Sequence, residues 1–263
     1  MLKKISRYLK VWWLMSRNSF LGFLTQRFGA VIFLTGKLLR FGFFFIFIVF
    51  LLKGTKTLAG FNLNQTIFFF LTFNLIDVVS QFLFREVYRF RPLVVSGGFD
   101  LVLTKPISAL FRSLMGGADV LDLITIPPLV VAIILAGRTL NPSILHSAYY
   151  IVLIFNSLVL ATAFHIAVLS LGIITLEIDH TIMIYRDLTN LGRFPVDIYK
   201  EPLKGILTYL VPVGIMITLP AKAFIGLVSF KGILVSFALG ILAISIALRF
   251  WDFALTKYTS ASS

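Results

Sequence analysis

Long apolar stretches, separated by short polar joints, dominate the chain. They run over 29–52, 62–84, 107–136, 146–174 and 231–251. Each is near or above the ~20 residues an α-helix needs to cross the hydrocarbon core. The pattern predicts an all-α, polytopic membrane protein. Ahead of them, Ile5, Tyr8, Leu9 and Trp12 recur at helical spacing while Lys3, Arg7 and Lys10 lie off that stripe. That predicts an N-terminal amphipathic helix within 1–28, lying in the headgroup plane; an ordinary pre-membrane flank is the plainer reading. A cleaved signal is not expected, because the apolar run VWWLM is broken at once by Ser16, Arg17, Asn18 and Ser19. Residues 29–263 then form a single transmembrane domain. The region 177–230 stays ambiguous. Its apolar part, 205–227, is bracketed and interrupted by Pro202, Pro212 and Pro220, which remove backbone donors. Either it spans, or it dips in and out while 178–195 crosses; both give six crossings with the termini on one side.

Composition sharpens this. Apolar residues make up 59% of the chain, charged ones 13%, and mean hydropathy is +0.97, far from a soluble domain. The absence of cysteine excludes thiol catalysis, Cys-ligated zinc and iron–sulfur clusters. The 24 Lys and Arg exceed the 11 Asp and Glu by 13, but no soluble module carries the excess to a nucleic acid; membrane lipids are the expected partner. With both termini on the cytoplasmic side, 17 basic residues fall in inner segments and 5 in outer connections, as the positive-inside rule requires. No internal repeat is visible, which weakens a carrier built from repeated halves.

Catalytic hardware is nearly absent. There is no phosphate-binding G-x-x-x-x-G-K-[ST], no G-x-S-x-G, and His146, His165 and His180 show no metal spacing. No catalytic, cofactor or metal site is expected on this chain. The informative loop is 85–106, REVYRFRPLVVSGGFDLVLTKP. A Pro, a Gly-Gly turn and a Lys-Pro stop make it a compact ordered element rather than a tether. Its Val94, Val95, Phe99, Leu101 and Leu103 need a cover, which is either the membrane surface or a soluble partner.

The stretch SGGFDLVLTKPISALFRSL resembles the segment joining the second and third spans of type-two ABC exporter (ABC-2) permeases. GRFPVDIYKEPLKGILTYLVPVGIMITLPAKAFIG is similar to the Pro-punctuated stretch before that family's last span. The closing RFWDFALTKYTSAS resembles the family's aromatic, basic-Tyr ending, although Ala254-Leu255-Thr256 stands where Gly-Leu-Arg is common. The resemblance implies a six-span permease subunit of an ATP-driven exporter in the bacterial inner membrane. It would pair with a second permease, identical or homologous, and with separate nucleotide-binding ATPase subunits that hold ATP and magnesium. It further implies that 85–106 is the coupling segment, with Arg85, Glu86, Arg89, Gly98, Asp100 and Lys105 at or near the ATPase. By the same likeness, 178–195 is the fifth span and 200–228 a re-entrant hairpin at the outer face.

Charges within the spans are the other candidates. Lys37 and Arg40 lie about 12 and about 16 Å into the first span, and Asp77 about 10 Å into the second, at ~1.5 Å per residue. Asp119 and Asp122, three residues apart, share a face of the third. Depth suggests the pairs Lys37–Asp77 and Arg40–Asp119. Such pairs would fix packing, contact a substrate, or snorkel to the interface. Within the fourth span, His165 and Asn156 read as interhelical hydrogen-bonders. Arg186, Asp187 and Arg193 would face the interior if 178–195 crosses. Two competitors remain: an ion-coupled secondary transporter titrating Asp77, Asp119 and Asp122, and an intramembrane lipid-modifying enzyme using His165, His180, Asp179 and Glu177.

Overall fold

The computed structural model describes residues 2–25, 27–176 and 178–259, and among these it is helical with no strand. Twelve helices follow in order: α1 (Leu2–Thr25), α2 (Arg27–Thr55), α3 (Leu63–Phe84), α4 (Phe90–Val95), α5 (Gly98–Leu103), α6 (Ala109–Leu114), α7 (Val120–Arg138), α8 (Ile144–Thr175), α9 (Ile178–Asn190), α10 (Leu203–Leu210), α11 (Gly214–Phe224) and α12 (Phe230–Thr256). Five stretches are long and apolar enough to cross a membrane, centred on α2, α3, α7, α8 and α12; the bent pair α10–α11 would be a sixth if it counted as one span. The chain is therefore a multi-pass membrane protein. The end of the bundle that carries α4, α5 and α6 is called the hairpin end below; the joints 56–62, 139–143 and 225–229 lie at the far end.

Helix starts are written locally. Asn62 and Gln65 form a reciprocal capping box before α3, with 3.0 Å bonds in both directions. Ser143 and Ser229 cap α8 and α12 by accepting from the N–H groups of His146 and Gly232. The third span starts later than its apolar run suggests. Residues 107–119 fold as short α6 followed by an irregular break, and α7 begins only at Val120. Gly116 and Gly117 mark the break, and Asp119 caps α7 through the N–H of Leu121 at 2.8 Å.

Packing centres on α8. Against α12 it makes the closest seam: Asn156 donates to the carbonyl (3.0 Å) and the hydroxyl (2.8 Å) of Ser236, and Gly240 lies so near Asn156 that a Cβ there would collide with it. Small residues and an amide pair are how helices associate where burial against lipid supplies no drive. At the hairpin end, Phe84, Val87, Phe90, Val94, Phe99, Trp251 and the inner part of α8 form one core cluster.

The segment after α8 runs the length of the bundle without being one long helix. Asp179 lies 3.8 Å from Arg91 near the hairpin end, the Tyr185 ring packs on His165, and the N–H of Val196 donates to Thr218 at 3.1 Å. Helix α9 covers only 13 residues of this path, about 20 Å by helical rise; a 3-10 turn at 191–193 and extended backbone complete it. Next, α10 and α11 form a pair bent by 76° at 211–213. Leu210 and Pro212 at its vertex border a cavity between α8 and α12. Its open ends meet at one carboxylate, Asp197, which pairs with Lys204 on α10 (2.8 Å) and Lys222 on α11 (2.6 Å). Both arms thus begin and end on the same side, and Phe224 closes that side by stacking on Phe68 at 4.3 Å.

Candidate functional site

At the hairpin end, α4 and α5 fold back on one another through Ser96 and Gly97. Gly97 adopts φ +74, the left-handed region open to glycine, and its neighbour Gly98 starts α5 with ordinary helical backbone. Phe90 and Phe99 meet edge to face at 5.1 Å, and Phe99 also meets Tyr258 (5.1 Å) and Trp251 (6.4 Å) from the end of the chain. The Tyr258 hydroxyl donates to Asp100 at 2.8 Å. Burial, then this bond to the carboxylate, pushes the Tyr258 phenol up to about 12, so the phenol stays a donor throughout the physiological range.

Of the apolar residues in 85–106, Val94 and Phe99 are covered by the chain itself, whereas Val95, Leu101 and Leu103 remain exposed. The six residues expected at a partner contact divide in the same way. Arg85 is tied to Asp119 (3.1 Å) and Glu86 to Arg112 (2.6 Å), both inside the fold. Asp100 faces Tyr258, and a Cβ on Gly98 would press on Leu93. Arg89 and Lys105 are exposed on the outside, with Arg91 beside them. Val95, Leu101, Leu103, Arg89, Arg91 and Lys105 are thus exposed, with Arg89 lining a cavity beside Arg85 and Asp119 and Arg91 facing Asp179. Arg85, Glu86 and Asp100 hold the element in place.

Helix α1 braces the segment that follows, α6 and its flanks. Arg7 donates to the carbonyl of Pro106 (2.8 Å), the N–H of Ser108 donates to the Tyr8 hydroxyl (3.1 Å), and the N–H of Ala118 donates to buried Ser16 (3.1 Å). Tyr8 and Trp12 pack on Phe111 and Phe82, while Ile5 and Leu9 of the same stripe stay exposed.

The charges within the spans pair differently from the depth-based expectation. Lys37 pairs with Asp122 rather than Asp77, and its ammonium also lies 3.3 Å from the Thr125 hydroxyl. Arg40 faces Asp77 at 4.0 Å rather than Asp119. Asp119 sits one residue before α7, where it caps the helix and pairs with Arg85, so Asp119 and Asp122 take unlike partners. The expectation failed because it placed Asp119 inside a helix running from 107, which the break at 115–119 removes. Arg193 lies over the rings of Phe44 (5.4 Å) and Phe73 (5.8 Å). His165 is buried against Phe84 and Tyr185, its Nδ1 bonded to the carbonyl of Ala161 at 2.7 Å. Asn156 bridges to α12, as above. Glu177 lies outside the described residues, and His146 is remote from His165, beside Gly226 at the far end.

Sequence reasoning had no route to the Asp100–Tyr258 bond, which joins residues 158 apart, or to Asp197 as the clasp of the α10–α11 pair. Only the Pro-bracketed composition of 200–228 pointed towards the latter. Compared with known proteins, the chain matches the family model described as ABC-2 family transporter protein over residues 38–262. No curated protein and no solved structure matches it.

Proposed function

The chain belongs to the ABC-2 family of transporter proteins and is the membrane permease component of an ABC transporter; from that premise we propose that it is driven by separate ATPase subunits bound to the α4–α5 hairpin. The observation that carries this reading is the contrast within the hairpin: a base locked by Phe90, Phe99 and Tyr258, and uncovered Val95, Leu101 and Leu103 in the same short element as exposed Arg89, Arg91 and Lys105. Exposed apolar side chains with cations among them suit a protein interface, which combines an apolar core with polar and arginine contacts. Force applied there passes as a rigid unit into α3, α8 and α12, whose residues share one core with the hairpin. ATP and magnesium sit on the partner. A second permease, identical or homologous, completes the path, and the basic hairpin end with both termini faces the cytoplasm of a bacterial cell. The α10–α11 pair is then a re-entrant hairpin opening at the outer face, its α11 arm packed on α8 and α3, as backbone at membrane depth needs protein cover.

Co-purification tests the reading. Wild-type chain expressed with its genomic neighbours should retain an ATPase subunit. Val95→Glu combined with Leu101→Glu should weaken that retention at least tenfold, about 1.4 kcal/mol, while the melting temperature of the isolated chain stays within about 2 °C. Substrate transport by the lone chain in proteoliposomes, with no ATPase present, would overturn it.

A further inference from the structure

Three cations lie along the inner side of α2 and its neighbours, and their charges are handled unequally. Lys37 is closed: Asp122 pairs with it, and the Asp122 side chain is 3% exposed. Arg40 is open. Its one carboxylate neighbour, Asp77, stands 4.0 Å away, beyond the ~2.7–2.9 Å of a charge-assisted hydrogen bond. Arg193 is more open still: among the described residues it forms no hydrogen bond and no ion pair, and the faces of Phe44 and Phe73 hold it. Arg40 and Arg193 line the same crevice, together with Asn74 and the rings of Phe41, Phe44, Phe70 and Phe73. Arg40 is twelve residues beyond Phe28, where the apolar stretch begins, so about 18 Å along the helix by ~1.5 Å per residue. At that depth an uncompensated guanidinium is costly, yet two of them face one loosely placed carboxylate.

A cavity of about 150 Å³ adjoins the crevice and shares Arg40, Phe41 and Asn74 with it. Apart from Lys37, already paired with Asp122, and Thr125, its remaining lining is apolar, from Leu38, Val78, Leu129 and Ala132 on α2, α3 and α7. An apolar space of about this size accommodates a benzene-sized group. It lies behind α2, the helix with the most uncovered surface of the long ones, so that a ligand can enter sideways from the bilayer. The planar fork of a guanidinium matches phosphate and carboxylate oxygens, and aromatic faces fix its orientation.

The crevice itself holds only about 10 Å³, so the room for a ligand lies on the cavity side of Arg40. We propose that the cavity binds an amphiphile with an oxyanion head, a phosphate or carboxylate, the head held by Arg40 where cavity and crevice meet with Arg193 behind it, and the apolar tail lying between α2, α3 and α7. That this amphiphile is the transported cargo rests on the permease reading above; the binding does not.

The test uses the purified full-length chain in a neutral maltoside detergent, melted in the presence of dodecyl phosphate, dodecyltrimethylammonium, added dodecyl maltoside or inorganic phosphate. Dodecyl phosphate should raise the melting temperature saturably by several degrees, with half-saturation at least tenfold below that of inorganic phosphate. Arg40→Gln and Arg193→Gln should each raise the half-saturating concentration at least tenfold. Should the glutamine variants not accumulate, the head-group series on the wild-type chain decides, and Arg193→Lys, which keeps the charge and loses the fork, should bind at least threefold weaker. Equal stabilisation by all three dodecyl compounds overturns the proposal, as does a wild-type response in both arginine variants. An equal response to inorganic phosphate overturns the amphiphile and leaves a small-anion site in its place. Dodecyl phosphate binding without ATPase retention would sink the permease reading alone; ATPase retention without head-group selectivity would sink this inference alone.

Discussion

Helices α2 and α3 are equally apolar, and their surroundings are opposite. More than half of α3 is buried within the chain, whereas most of α2 is exposed, with Phe28, Ile32, Phe33, Phe43 and Phe50 uncovered and burial reached at Ile48 and Leu52 near its C-terminal end. In water such a difference would contradict the composition. In a bilayer it does not, because lipid tails solvate leucine and phenylalanine as well as a protein core does, and apolar surface alone draws no helix inward. What attaches α2 is specific: the Lys37–Asp122 pair, the weaker approach of Arg40 to Asp77, the rings of Phe41 and Phe44 on Phe70 at 5.0 and 4.9 Å, and one small cluster that buries Ile48 and Leu52 against Phe70. Helix α3 is held on many sides by α7, α8 and the hairpin end. The scaffold is thus shape-packed, and α2 is a charge-pinned wall around it.

The sharpest way to break this contrast is to remove one pin. Asp122→Leu leaves the Lys37 ammonium without its partner at depth, and should cost about 3–5 kcal/mol, read as loss of folded protein after detergent extraction. Adding Lys37→Met should recover most of that loss, because the pair removed whole leaves no orphan charge. A smaller effect is expected within the scaffold: Gly240→Val drives a side chain into Asn156 and should destabilise by about 1–3 kcal/mol, visible as a lower melting temperature. At the hairpin, Tyr258→Phe deletes the bond to Asp100 at an expected cost of about 1–2 kcal/mol, and faster proteolysis within 90–106 would report it. Since the folded-state phenol titrates near 12, above the ordinary value of 10, this contribution is complete below pH 10 and fades only as pH rises towards 12. The smallest effect belongs to the bare wall: Phe33→Leu on α2 should change stability by less than about 0.5 kcal/mol.

The clasp at Asp197 sharpens the comparison from the far end. Burial alone would raise its carboxyl, but the hydrogen bonds and charges of Lys204 and Lys222 outweigh that and hold it below the ordinary carboxylate range. A depressed folded-state value means the clasp contributes fully above the ordinary carboxylate value and is lost as pH falls below it. Protease accessibility of 199–212 should therefore be flat from neutral pH down to mild acid and rise below about pH 4.

Particular residues show where reading along the chain stops. The Gly97 turn was legible from its Gly-Gly pair; the Asn62 capping box and the Ser229 cap act over only three residues as well, but emerged from the structure. The start of the third span was not legible. Within 107–119 the apolar run masked a local signal, Gly116-Gly117 ahead of the Asp119 cap, and α6 then packs on α1 with Arg112 drawn to Glu86. The likeness of SGGFDLVLTKP to a coupling segment drew attention to 85–106 but could not separate Arg85 and Glu86, which pair with Asp119 and Arg112, from Arg89 and Lys105, which are exposed.

By itself, the amino-acid order determined that this is a multi-pass helical membrane protein of the ABC-2 family: span length and hydropathy are sums over neighbouring residues, and motifs are local strings. Only the tertiary structure decided which charge meets which, that Tyr258 returns to Asp100, and that two arginines at membrane depth share a crevice. Those outcomes depend on the rotation and sliding of helices against one another. Lipid leaves both almost free until a polar contact, a small residue or a ring stack fixes them.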